Sequence, residues 1–134
     1  MKIRAHHLLC IQGFHGHGYN KEFTVNMSEI IEDLKLYPAQ NVQLTADCDI
    51  ICAYCPHNKS DICTQSPDSM ERIRLMDLEV LETIGLHVNT IIKAHDVFQL
   101  INKKFKSTDV CKICAKCRWK NECLFFNQEV ILKI

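Results

Sequence analysis

Cys111, Cys114 and Cys117 stand two residues apart near the end of the chain, and Cys123 follows after five more. Thiolates at this spacing can converge on one centre, as they do in iron–sulfur proteins. Ferredoxin-type clusters use C-x2-C-x2-C-x3-C followed by proline, the fourth cysteine serving a second cluster. Here the fourth interval is longer and no proline follows, so the match is partial. Zinc also accepts four thiolates, but its structural sites usually come as two separated pairs. Three evenly spaced thiols favour a 4Fe–4S cluster, with zinc as the alternative.

Cys48, Cys52 and Cys55 spell C-x3-C-x2-C, and Cys63 completes a second group. The triplet has the spacing associated with radical SAM enzymes. Those enzymes need a large barrel around the cofactor, which 134 residues with few strand signals do not supply. Cys52, Cys55 and Cys63, with His57 nearby, fit a zinc knuckle equally well. Cys48 by itself reads as a spare thiol.

At the start, RAHHLLC brings His6, His7 and Cys10 together. On a helix, each histidine can share a face with Cys10. The two adjacent histidines themselves point about 100° apart, so both serving one centre would require distortion. Three readings stay open. Cys10 is a metal ligand brought from the far end of the chain; His7 and Cys10 are a general base and nucleophile; or the histidines are hydrogen-bonded core residues. His15 and His17 lie in a glycine-rich loop and are expected to be exposed. Gly13, Gly16 and Gly18 of that loop match no phosphate-binding pattern.

Composition narrows the class. Nine cysteines in 134 residues is an unusual density. The odd count, the two-residue spacings and the lack of an apolar leader after MKIR argue for metal ligation rather than disulfides. On the same grounds the protein is expected to be cytoplasmic. Sixteen basic residues balance sixteen acidic ones, so no global field steers it to nucleic acid or lipid. No apolar run approaches the roughly 20 residues of a membrane span. Locally, Lys103 to Cys123 holds seven basic residues against two acidic ones. That excess could offset a cluster's negative charge, contact phosphates, or simply be a solvated surface. Trp119, between the thiols, would shield such a site.

The elements that must position these residues follow from periodicity. Apolar positions predict helices over 3–14, 21–37, 67–84 and 95–105. Pro38 ends the second; Ser66, Pro67 and Gly85 mark the start and stop of the third. Short strands are expected at 41–46 and 88–93. Residues 47–65 and 107–123 read as loops built around ligands, and LFFNQEVILKI at the end as a tail packed on the domain. The expected fold is α+β, a predominantly helical single domain over residues 1–134 with a minor short-stranded sheet.

RAHHLLC, GYNKEF, DIICAYCP and CAKCRWKNEC, in that order, resemble a family of small prokaryotic cysteine-rich proteins. That family carries a domain-of-unknown-function label and an association with iron–sulfur binding. The resemblance spans nearly the whole chain and implies no assigned reaction. It falls on His6, His7, Cys10, Cys52, Cys114, Cys117, Trp119 and Cys123. Cys55 and Cys63 match its cysteine-richer members, and Cys48 and Cys111 fall where it requires no cysteine. It implies that Cys114, Cys117 and Cys123 act together with a fourth ligand from Cys52, Cys10 or Cys63. Cys55 and Cys111 remain further metal candidates.

These readings converge on a small iron–sulfur protein with a redox, sensing or electron-transfer role and an undefined redox or protein partner. Two alternatives stand beside it. One is a structural zinc module for a macromolecular partner, nucleic acid included. The other is a metal-assisted enzyme using His7 and Cys10.

Overall fold

The computed structural model describes residues 1–115 and 117–123. The expected tail, 124–134, lies outside the described residues. In chain order the elements are β1 (Lys2–Arg4), α1 (His7–Gly13), α2 (Lys21–Leu36), β2 (Asn41–Thr45), a short 3-10 turn (Cys52–Tyr54), β3 (Asn58–Lys59), β4 (Ile62–Cys63), α3 (Ser69–Ile84), β5 (Ile91–Lys93), α4 (Ala94–Lys104) and α5 (Ser107–Cys114). The fold is α+β, as expected.

β2 is the middle strand of a three-stranded sheet, with β1 on one side and β5 on the other. β1 runs parallel to it, Ile3 opposite Leu44, and β5 antiparallel, Val42 opposite Ile92. Parallel neighbours need a long crossover, and α1 and α2 provide it. Ile3, Val42 and Leu44 are buried under the helices together with Leu8, Ile11, Leu34, Phe98 and Ile101. Ile3 therefore belongs to a strand, and the first helix begins only at His7, shorter than its periodicity suggested. Three residues of β1 become a strand because β2 supplies their hydrogen bonds, which no local pattern encodes.

The two long helices sit close to their expected positions. Asn20 caps α2 by accepting the Phe23 amide at 2.8 Å, and Met27, Ile30, Ile31 and Leu34 form its buried face. α3 ends at Gly85, whose φ of 74° is left-handed. The Leu86 amide then closes back on the Leu81 carbonyl at 3.0 Å, the usual glycine-terminated ending. The start of α3 differs. Ser66 does not cap it; its hydroxyl donates to Asp68 at 2.7 Å and the helix begins at Ser69. Ser69 is buried and donates to the Ser66 and Cys63 carbonyls, both at 2.8 Å, which ties the helix start to the cysteine loop.

Two further expectations are corrected. β5 covers only Ile91–Lys93, because Asn89 turns the chain at a φ of 70°. Residues 107–114 are helical rather than a loop. The Asp109 carboxylate accepts the Lys106 amide at 2.9 Å and starts the helix. Val110 and Ile113 are its buried side. Among the described residues, no helix is long and apolar enough to cross a membrane.

Candidate metal centre

The cysteines are placed by turns rather than by long elements. After β2 the chain enters a loop organised on Asp49. Its carboxylate accepts the amides of Ile51 at 2.9 Å, Cys52 at 3.1 Å and Arg4 at 2.7 Å, and pairs with Nδ1 of His7 at 2.9 Å. A fully buried carboxylate needs this many partners. Burial alone would raise its pKa, but His7 and the amides outweigh that and hold Asp49 well below the usual carboxylate range. The loop continues through tight turns. The Cys55 amide donates to the Cys52 carbonyl and the Asn58 amide to the Cys55 carbonyl, both at 3.0 Å. The β3–β4 hairpin sets Cys63 opposite Asn58. Ser60 and Asp61 at its tip both have positive φ, 53° and 64°, the geometry that matches strand twist in a two-residue hairpin.

At the other end, α5 finishes at Cys114. The Cys117 amide donates to the Cys114 carbonyl at 2.9 Å, and the Cys123 amide to the Trp119 carbonyl at 2.8 Å. Successive turns thus present Cys114, Cys117 and Cys123 towards α1, where Cys10 lies. Burial raises the Cys10 thiol well above its ordinary value, and Cys117, Cys114 and Cys123 raise it further. Cys114 is pushed up to about 12, by burial and then by Cys117 and Cys123.

The four cysteines Cys48, Cys52, Cys55 and Cys63 form a separate neighbourhood. Cys48 is raised by burial, with Arg4, Cys52 and Cys63 also acting on it. Burial likewise raises Cys55, which also feels Cys63 and Cys48. Cys48 acts on Cys52, and Cys52 lines the same cavity as Cys117 and Cys123. Asp49 holds it there through the Cys52 amide. Cys48, read as a spare thiol, has close thiol neighbours. Cys111 is exposed on α5. All nine cysteines are described, and none is in a disulfide.

Both sets reach one cavity of about 260 Å³, lined by Cys10, Cys117 and Cys123 together with Cys48, Cys52, Cys55 and Cys63. His6, His7 and Arg4 also reach it. The rings of His6 and His7 lie 4.3 Å apart, so the two histidines do share one space. Each is aimed by its own buried carboxylate rather than by helix rotation. His6 Nδ1 pairs with Asp77 at 2.8 Å, and His7 Nδ1 with Asp49. Burial, then the neighbouring His7, lowers the pKa of His6 despite Asp77.

His17, expected to be exposed, is half-buried and lines the cavity. Its ring stands 5.6 Å from Trp119. Tyr19 packs edge-on against both Trp119, at 5.2 Å, and His57, at 5.0 Å. Arg118 lies over the Tyr19 and Trp119 rings. These aromatics close the cavity's rim.

His7, Asp49 and Cys52 each place a ligand atom within 4.8 Å of the others, a spacing that a metal ion could bridge. Both oxygens of Asp49 are already engaged by amides and His7, so the trio serves first to orient His7 and Cys52. His7 and Cys10, the pair read as base and nucleophile, both line the cavity, and Asp49 on His7 Nδ1 is the kind of contact that orients a general base.

Sequence reasoning assigned no role to Arg4, Asp49 or Asp77. Arg4 bonds Asp77 through Nε at 2.9 Å and Nη2 at 2.8 Å, and its Nη1 faces Cys52 Sγ at 3.9 Å. Asp77 falls in the buried stripe of α3, an acidic residue where an apolar one belongs. That is a readable signal of a paired buried charge. The basic segment is partly engaged within the fold, Lys112 on Glu79 at 2.9 Å and Lys120 on the Ala115 carbonyl at 3.3 Å.

The fold is a cysteine-rich α+β domain whose His7, Asp49 and Cys52 could together hold a metal ion. The chain belongs to the family described as "Protein of unknown function (DUF1284)", whose model matches residues 18–123. The match begins after the Arg4–Cys10 segment. No curated protein matches the chain, and no solved structure matches it.

Proposed function

We propose that this protein is a small iron–sulfur protein whose 4Fe–4S cluster is ligated by Cys10, Cys114, Cys117 and Cys123. The carrying observation is the position of Cys10. It comes from the first helix to meet three thiols of the last segment, and burial with those thiols is what raises it. Four thiolates complete a cluster's ligand set. The C-x2-C spacing of Cys114 and Cys117 and the resemblance to a family associated with iron–sulfur binding support a cluster over a single ion.

Such a centre supplies one-electron chemistry. The chain's own residues cover it with the Tyr19, His17 and Trp119 rings, and the Trp119 amide donates to Cys117 Sγ at 3.4 Å. Hydrogen bonds to sulfur and restricted solvent access tune a cluster's potential. The role that follows is redox: electron transfer to a protein partner, or sensing.

Anaerobic purification tests the reading. The expected product is coloured, with iron and acid-labile sulfide in equal amounts. A colourless protein holding zinc and no sulfide would overturn it, and would favour a structural zinc module.

A further inference from the structure

We propose that Cys48, Cys52, Cys55 and Cys63 form a second, independent four-thiolate site for a thiophilic metal centre, lining the same cavity as the first. The proposal goes beyond the cluster at Cys10, Cys114, Cys117 and Cys123 and does not require it.

Three observations carry the inference. First, the four thiols line the cavity together. They act on one another: Cys52 and Cys63 on Cys48, and Cys63 and Cys48 on Cys55. None of the thiols acting on Cys10 belongs to this set.

Second, the backbone is built to carry sulfur there. Cys52 and Cys55 flank a tight turn, and the hairpin returns Cys63 to face them with both tip residues held at positive φ. Non-glycine residues in the left-handed region carry a cost that the surrounding structure must hold. The Cys63 carbonyl and amide are both anchored, by the Ser69 hydroxyl at 2.8 Å and Met70 Sδ at 3.0 Å.

Third, donors face the sulfurs. The amides of His57 and Asn58 lie against Cys55, the Asp49 backbone against Cys52, and the Arg4 guanidinium against Cys52. A neutral thiol is a weak acceptor and has little use for such an arrangement. A thiolate bound to metal is stabilised by it, because amide and guanidinium hydrogen bonds offset the excess negative charge of four sulfurs on one centre.

The shared chemistry is four-thiolate coordination, which a second iron–sulfur cluster and a zinc ion both satisfy. Metal and sulfide analysis of anaerobically purified wild type, Cys117→Ser and Cys55→Ser separates them. Cys55→Ser is expected to lose one centre and keep the other, and Cys117→Ser the converse. If iron and sulfide both fall in Cys55→Ser, the second centre is a cluster; if only zinc falls, it is zinc. Unchanged metal content in Cys55→Ser overturns the proposal, even where Cys117→Ser loses its cluster. Loss of iron in neither variant, with zinc lost in Cys55→Ser, supports this site while sinking the cluster reading of the first.

Should Cys55→Ser fail to fold, the metal-free wild-type chain is titrated with cobalt(II). Two equivalents with thiolate-to-cobalt charge-transfer absorbance are expected. Saturation at one equivalent overturns the proposal.

Discussion

Arg4 and Asp77 form an ion pair at 2.8 Å in which the two side chains are only 3% and 0% exposed. It joins the edge strand β1 to the middle of α3. The same aspartate accepts the His6 amide and pairs with its ring, while the same guanidinium faces Cys52. One buried pair thus holds a strand, a helix, a histidine and a cysteine loop in register around the cavity.

Removing one partner of such a pair leaves the other charge buried without compensation, which costs about 3–5 kcal/mol. Asp77→Asn is expected to lose stability in that range, measured by denaturant unfolding at neutral pH. A loss below about 1 kcal/mol, the scale of a surface pair, would show that Arg4 is held by other contacts.

Acid should weaken the protein in two stages. Burial pushes His6 below its ordinary 6.5, so its contribution is full above that value and is lost as pH falls through the lower folded value. Burial alone would raise Asp77, but His6 and Arg4 outweigh it and hold it below its ordinary 3.8. Its contribution is present above 3.8 and disappears below. Unfolding midpoints across pH should therefore fall on acidification, with a flatter limb below 3.8 in Asp77→Asn. Equal limbs in wild type and variant would contradict the assignment.

Metal affinity should rise with pH. In the first set, burial raises Cys10, Cys114 and Cys117, so these thiols are protonated near neutrality. Binding must release their protons, and the apparent affinity gains about one decade per pH unit for each protonated ligand thiol below the thiol pKa values. Cobalt competition against a chelator at several pH values measures the slope. A pH-independent affinity would mean that the thiols do not ligate.

Cys10 and Cys111 should behave oppositely, although it is Cys111 that belongs to the C-x2-C-x2-C run and Cys10 that lies far from it in the chain. Cys10→Ser is expected to lower metal occupancy and the melting temperature together, because the ligand and the link between α1 and the last segment are lost at once. Cys111→Ser, on an exposed helix face, should change stability by less than about 0.5 kcal/mol and leave metal content unchanged. Full occupancy in Cys10→Ser would remove Cys10 from the ligand set.

The sequence by itself determined the two long helices, since their apolar spacing, Pro38 and Gly85 are local signals. It also marked the thiols, because C-x2-C spacing is chemistry written in the chain. It missed α5, whose buried side is only Val110 and Ile113, and it overextended the first helix, because β1 exists only through β2's hydrogen bonds. Which thiols stand together was a tertiary outcome. Cys52 and Cys10 were both open candidates beside Cys114, Cys117 and Cys123. Asp49 holds Cys52 in the loop set through its amide, while α1, following β1, carries Cys10 to where Cys117, Cys114 and Cys123 act on it. No spacing rule encodes that division, because it depends on buried charges, Arg4, Asp49 and Asp77, pairing across segments far apart in the chain. Burial makes such pairings obligatory, and only the folded chain reveals which partners satisfy them.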